Sequence, residues 1–156
     1  MIWGIFEFPY YLKAKTFLDL ICHKWDNLHQ AQCWPNEFAH VHYDWWMDNG
    51  VLHSKQWYDW NGEVYRQRTH SLEDCGDEMI LHIRESKMHL VFKTDDEGSP
   101  GLIGLTPPNS YNANGIKIET TITLDSVTYT SFDKGTTPEG EVLWGKIPSP
   151  FVFKHT

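Results

Sequence analysis

The sequence predicts a mainly β chain, an antiparallel barrel or sandwich with one α-helix near its N-terminus, and of the two the barrel is favoured. Three observations carry this expectation. From Phe38 to Lys154, short runs with period-two patterning or aliphatic content recur at close spacing, about eight or more in all, divided by Gly, Asn, Asp and Pro. Helical spacing of apolar residues occurs in one stretch, near the start. The chain also carries eight Trp, eight Phe and seven Tyr in 156 residues, and most such rings fill a β core. A barrel has no free edges and can hold one ligand in its mouth, which decides between the two. The length is that of one ordinary domain, 1–156, without a linker.

Taken in order, residues from Tyr10 to about Leu28 place Leu12, Phe17, Leu18, Leu20, Ile21 and Trp25 at helical spacing after Pro9, predicting one amphipathic helix. Trp34-Pro35-Asn36 breaks it or begins the first strand. Phe38, His40, His42, Asp44 and Trp46 then alternate with Ala39, Val41, Tyr43 and Trp45, a strand ended by Asp48-Asn49-Gly50. Further strands are expected over Met79–Arg84, Met88–Phe92, Leu102–Leu105, Ile116–Leu124, Val127–Phe132, Val142–Ile147 and Phe151–Lys154. Thr94–Pro100 reads as an acidic loop, and Asp125-Ser126 and Asp133-Lys134-Gly135 as turns.

The most informative stretch is Val51–Leu72. Asn61-Gly62 between two aromatic and β-branched runs predicts a hairpin with a two-residue type I′ turn. Trp60 then faces Glu63, Tyr58 faces Tyr65, Trp57 faces Arg66, Gln56 faces Gln67 and Lys55 faces Arg68. One face carries Trp60, Tyr58, Tyr65, Gln56 and Gln67; the other carries Trp57, Lys55, Arg66, Arg68, His53 and His70. Lys55 across from Arg68 is unfavourable unless an anion neutralises it. The face suits an anion beside an aromatic surface; solvent-facing arginines are the alternative reading.

Thirteen basic against 21 acidic side chains give a net charge of −8, which argues against nucleic-acid or anionic-membrane binding and makes a small anionic ligand the better partner for these cations. No bilayer-length apolar run occurs, and the first residues lack the regions of a secretory signal. Cys22, Cys33 and Cys75 form no disulfide or zinc pattern, which fits a reducing cytosol. His40-Val41-His42 puts two imidazoles on one strand face, but no carboxylate stands at partner spacing, so no metal site is expected. Adjacent Cys22 and His23 do not face one another on a helix. Glycine-rich phosphate loops and serine elbows are absent.

Three blocks match a known pattern. The first is Lys-Trp-Asp-Asn-Leu-His-Gln-Ala from Lys24 to Ala31, with Trp34-Pro35 and Phe38-Ala39-His40. The second is Gln56 and Tyr58 followed by Tyr65-Arg66-Gln67-Arg68. The third is Ser131-Phe132-Asp133-Lys134-Gly135, Glu139-Gly140, Leu143-Trp144-Gly145 and Pro150-Phe151-Val152-Phe153-Lys154. In this order, across nearly the whole chain, they resemble the T-type phycobiliprotein chromophore lyases, CpcT and CpeT. The resemblance implies a calycin or lipocalin-like barrel that binds a phycobilin and assists its thioether attachment to a cysteine of a phycobiliprotein β-subunit, in the cytoplasm of a cyanobacterial cell. Phycoerythrobilin is favoured over phycocyanobilin, and the pigment is a substrate rather than a permanent cofactor. A homodimer is left open.

A bilin is long, conjugated and carries two propionates, so it calls for aromatic walls and paired cations, and the arginine fork suits carboxylates. Arg66 and Arg68 are the first choices for binding it, with Tyr65, Trp57, Tyr58, Gln56, Lys55 and Trp144. Asp133 is the candidate acid or hydrogen-bond acceptor for pyrrole N–H groups; a turn-forming role is the alternative. The nucleophile would be the acceptor's thiol. Three departures stand out: Lys55 where the family commonly has Glu, Phe132 where it has Tyr, and a stretch from Leu105 to Ile116 that is shorter and lacks the family's cysteine. The short chain would suit a compact copy such as a cyanobacterial virus carries. A bilin carrier without attachment activity is the second reading, and a binder of another apolar anion the third.

Overall fold

Asn49 and Gly50 both adopt positive φ, 50° and 75°, the pairing that a two-residue type I′ turn demands. They join two strands in tight register, Asp48 opposite Val51. This hairpin belongs to a computed structural model that describes residues 13–94 and 101–155. A helix, α1, covers residues 13–21. Then follow β1 (Lys24–Asp26), α2 (Leu28–Cys33), β2 (Val41–Asp48), β3 (Val51–Tyr58), β4 (Val64–Cys75), β5 (Glu78–Ile83) and β6 (Met88–Thr94). The chain ends with β7 (Leu102–Leu105), β8 (Lys117–Leu124), β9 (Thr128–Thr136), β10 (Val142–Trp144) and β11 (Phe151–Lys154).

Neighbouring strands pair antiparallel in the order β9-β11-β1-β2-β3-β4-β5-β6-β7-β8, and β8 pairs back to β9, so ten strands close a barrel. The eleventh, β10, occupies the part of the β9 edge that β11 leaves free, with Trp144 opposite Gly135. The closure is uneven. β1 meets β11 at one pair, Asp26 and Lys154, whereas β2 and β3 match over their full eight residues.

The predicted alternation sorts side chains as expected. Val41, Tyr43 and Trp45 point inward and are buried, while His42, Asp44 and Trp46 lie outside. Phe17 and Ile21 of α1 join this interior, Phe17 packing edge-on against Phe92 at 5.0 Å and Trp45 at 6.3 Å. The backbone N–H of Ala14 donates to Asp74 at the far end of β4. Asp74 lies eight positions from Arg66, roughly 26 Å along an extended strand. The helix therefore sits at one end of the barrel and the Arg66 end is the mouth.

Three expectations are corrected. The helix does not run to Leu28: it ends at residue 21, and residues 24–26 form a strand. Trp25 stands four positions after Ile21, so it continues the helical spacing, yet it is fully buried from β1 and donates Nε1–H to the Ile21 carbonyl at 2.8 Å. Tyr10 and Leu12 lie outside the described residues, as does most of the acidic loop. Next, Asp133-Lys134-Gly135 is no turn but the middle of β9, paired with Thr120, Glu119 and Ile118. Finally, the loop at Asn61-Gly62 is not the two-residue turn. Gly62 has φ 67°, but Asn61 is not in the left-handed region. The Tyr58 N–H donates to Glu63 O at 3.2 Å, closing a four-residue loop.

Two buried amides account for the first sequence block. Asn27 accepts from the Val41 N–H at 2.7 Å and donates to the Ala39 carbonyl at 2.9 Å. Gln30 donates to Pro150 O at 2.8 Å and accepts from Val152 N–H at 3.0 Å. Between them they tie α2 to β2 and β11 beside the closing seam, satisfying backbone groups that burial would otherwise leave unpaired.

Candidate functional site

The site is set by how β3 meets β4. After the four-residue loop Trp57 pairs with Val64, then the register shifts and Gln56 pairs with Arg66, Lys55 with Gln67 and Ser54 with Arg68. Tyr65 is the extra residue of a β-bulge, which re-aims side chains and commonly does so at sites of function. One cause of the slip lies in Asp59, whose N–H donates to His40 O at 3.1 Å and whose carboxylate is held by His42 at 2.8 Å. Held on the β2 side, Asp59 cannot take its expected place opposite Val64.

A one-residue slip exchanges faces. Arg66 and Arg68 therefore share the inner face with Gln56 and Ser54, and the bulge brings Tyr65 onto Tyr58, rings stacked at 4.4 Å. Lys55 and Trp57 go to the outer wall. Lys55 lies across from Gln67, not Arg68, with its ammonium 5.8 Å from the Trp46 ring. Trp57 stacks on His42 at 3.9 Å. Neither lines the interior, so the expected Lys55–Arg68 cation pair does not exist.

The interior holds a cavity of about 260 Å³, and a mouth cleft of about 650 Å³ shares five of its walls: Gln56, Arg66, Ser131, Asp133 and Trp144. Together they fall in the size class of small-molecule sites, roughly 300–1,000 Å³. Arg66 and Arg68 enter from β4, and Asp133 and Ser131 from β9. Tyr58 and Tyr65 stand at the mouth. Trp144 reaches the same place from β10 because its indole lies flat over Gly135, where a Cβ would collide with it.

Arg66 donates to Gln56 Oε1 at 3.3 Å. Among the described residues no carboxylate lies within ion-pair distance of Arg66 or Arg68. Burial, and then the charge of Arg66, lower the pKa of Arg68, while Tyr43 and Asp133 pull the other way. Asp133 accepts from Thr120 Oγ1–H at 3.0 Å. His70, buried beneath Arg68, is pushed down to about 4 by burial and then by that arginine, so at neutral pH it is an uncharged partner for Ser54 at 2.8 Å. Desolvation holds the Tyr65 phenol up at about 12, and it stays an O–H donor. Cavity and cleft together present Arg66, Arg68 and Lys146, with Asp133, Glu37 and several rings, inside a protein of net charge −8.

Seven of the nine residues singled out from sequence meet here: Arg66, Arg68, Tyr65, Tyr58, Gln56, Trp144 and Asp133. The walls also include Tyr43, Thr120, Ser131 and Asn112, which sequence reasoning passed over. The period-two run through Tyr43 and Trp45 was a usable signal for the first. Asn112 lies in a turn region with no pattern to read.

No protein-family model and no curated protein matches the sequence. The fold is matched by solved structures. The T-type phycobiliprotein lyase CpeT from Prochlorococcus phage P-HM1 superposes with a TM-score of 0.73 at 24% identity, over 91% of this chain and 96% of that one. The CRL protein of Arabidopsis superposes with a TM-score of 0.70 at 15% identity, over 95% and 98%. At such identities the likeness shows the fold, which is that of the T-type lyase. No described helix is long and apolar enough to cross a membrane.

Proposed function

We propose that this protein binds an open-chain tetrapyrrole in the barrel and mouth cleft and assists its attachment to a phycobiliprotein cysteine. The observation that carries the proposal is the pair of arginines, with no described carboxylate within ion-pair distance of either, on the inner wall of an aromatic-lined cavity. Holding the half-buried Arg68 beside a second cation is costly without an anion, and a bilin brings two carboxylates on a conjugated body. Arg66 and Arg68 take the propionates, Arg68 deeper and Arg66 at the junction with the cleft. Tyr58, Tyr65 and Trp144 stack along the pigment, and Asp133 accepts from pyrrole N–H groups.

In attachment, the acceptor's S–H adds across the exocyclic ethylidene of ring A. A carbon–sulfur bond forms, the thiol proton passes to the pyrrole system, and no redox partner is needed. In this reading Asp133 relays that proton, and the rest of the catalysis is positioning. Phycoerythrobilin is the favoured pigment, a β-subunit the acceptor and the cytosol the compartment; the three cysteines are free thiols. The test mixes purified protein with phycoerythrobilin or phycocyanobilin, adds the apo β-subunit and looks for pigment that survives denaturation. Covalent pigment above the spontaneous level supports the lyase. Binding without transfer would leave a carrier, and the absence of any spectral change on mixing would overturn both.

A further inference from the structure

On the outer wall, away from the cavity, side chains from three adjacent strands converge. Asp26 of β1 lies opposite His42 of β2, and His40 and His42 point out together on either side of inward Val41. One ligand atom each from Asp26, His40 and His42 lies within 4.8 Å of the others. Asp59, beyond the end of β3, faces the same pair. Its Oδ2 is 3.4 Å from His40 Nδ1 and its Oδ1 2.8 Å from His42 Nε2. The spacing argument against a metal fails here because the carboxylates come from distant positions in the chain, brought in by β1 and by the loop after β3.

We infer that Asp26, His40 and His42 form a zinc-class divalent metal site. Two histidines and one carboxylate are a donor set that Zn²⁺ accepts in tetrahedral geometry, with the fourth position left to water. Bonds of about 2.0–2.1 Å put tetrahedral ligand atoms roughly 3.3 Å apart, and His40 Nε2 already stands 3.5 Å from Asp26 Oδ1. That nitrogen is buried and makes no hydrogen bond among the described residues. Asp59 Oδ2 stands 3.4 Å from His40 Nδ1 on one side of the ring, and Nε2 on the other side faces the Asp26 carboxylate, an arrangement that suits a cation between them. A carboxylate behind a ligating imidazole commonly fixes its tautomer and orientation. His42 is held in plane by Trp57, 3.9 Å away with an interplanar angle of 11°. Asp59 stays behind the imidazoles, 3.4 Å from His40 and 2.8 Å from His42, and orients both. The metal would staple β1 to β2, next to the seam where β1 holds β11 by a single pair.

The experiment titrates tag-free, chelator-treated protein with Zn²⁺ by calorimetry and with Co²⁺ by visible absorption. One equivalent should bind, with tetrahedral Co²⁺ bands, and Tm should rise by roughly 5–10 °C at a hundredfold excess over Kd. His40→Ala, His42→Ala and the milder Asp26→Asn should each weaken binding at least about tenfold and remove the Tm shift. His82→Ala, which breaks the exposed His82–Glu73 pair, and Cys33→Ser, which removes the thiol beside His29, should change neither. No binding at 100 µM metal, far above the Kd of roughly 50 nM that a weak structural zinc site shows, overturns the inference. So does a response that survives His40→Ala with His42→Ala, or one lost equally in His82→Ala.

Discussion

Replacing Arg68 with alanine separates a ligand-binding arginine from a structural one, because the two roles predict opposite signs. Arg68 is half-buried, is repelled by Arg66 and has no described carboxylate in ion-pair distance. In the ligand-free protein its removal relieves an unpaired, half-buried charge, so Tm should hold or rise. In the complex, removal deletes charge-assisted hydrogen bonds to a propionate, about 2–3 kcal/mol, which is roughly 30- to 140-fold in Kd. The assay pairs an absorbance titration with phycoerythrobilin and a thermal melt without pigment. Unchanged affinity, or a fall in Tm of more than about 5 °C, would refute the assignment.

Other outcomes follow from the same geometry. Gly135→Ala should push the Trp144 indole off β9, costing about 1–3 kcal/mol by overpacking and weakening pigment binding; an unchanged melt would show that Trp144 does not rest there. Asn27→Ala strands the Val41 N–H and the Ala39 carbonyl, with an expected loss of about 2–4 kcal/mol in urea unfolding. His70 gives a pH signature. Its folded pKa, about 4, lies below the unfolded value of roughly 6.5, so the unfolded chain binds the extra proton between them. Stability should be full above pH 6.5 and fall toward pH 4 by up to about 3 kcal/mol. His70→Gln should flatten that slope, and a slope that persists unchanged would assign it elsewhere.

Much of the barrel was legible because its strands alternate cleanly. Val41, Tyr43 and Trp45 announce an inward face, and Glu78–Ile83 and Met88–Thr94 lie close to where the pattern puts them. The failures share a cause, namely tertiary contacts that local pattern does not contain. Ile21 and Trp25 are four apart in a helix-like way although a helix ends between them. Asn49-Gly50 and Asn61-Gly62 are the same dipeptide, yet only the first makes the type I′ turn, since Asp59 is captured by His40 and His42 from another strand. That capture and the bulge at Tyr65 decide which hairpin residues face the cavity, so Arg66 and Arg68 share the inner face with Gln56 and Ser54 rather than with Lys55 and Trp57. Asp133 reads locally as a turn residue and becomes a site residue through its pairing with Thr120. The outer His40–His42 cluster was hidden because its carboxylates are remote in sequence.

Binding of a bilin in the arginine-lined barrel is read from a spectroscopic titration. Adding protein to a fixed amount of phycoerythrobilin should give a saturable shift and sharpening of the pigment's absorption band at one equivalent, reversed by denaturation and weakened in Arg68→Ala. A spectrum that stays that of free pigment at every protein concentration would contradict the account.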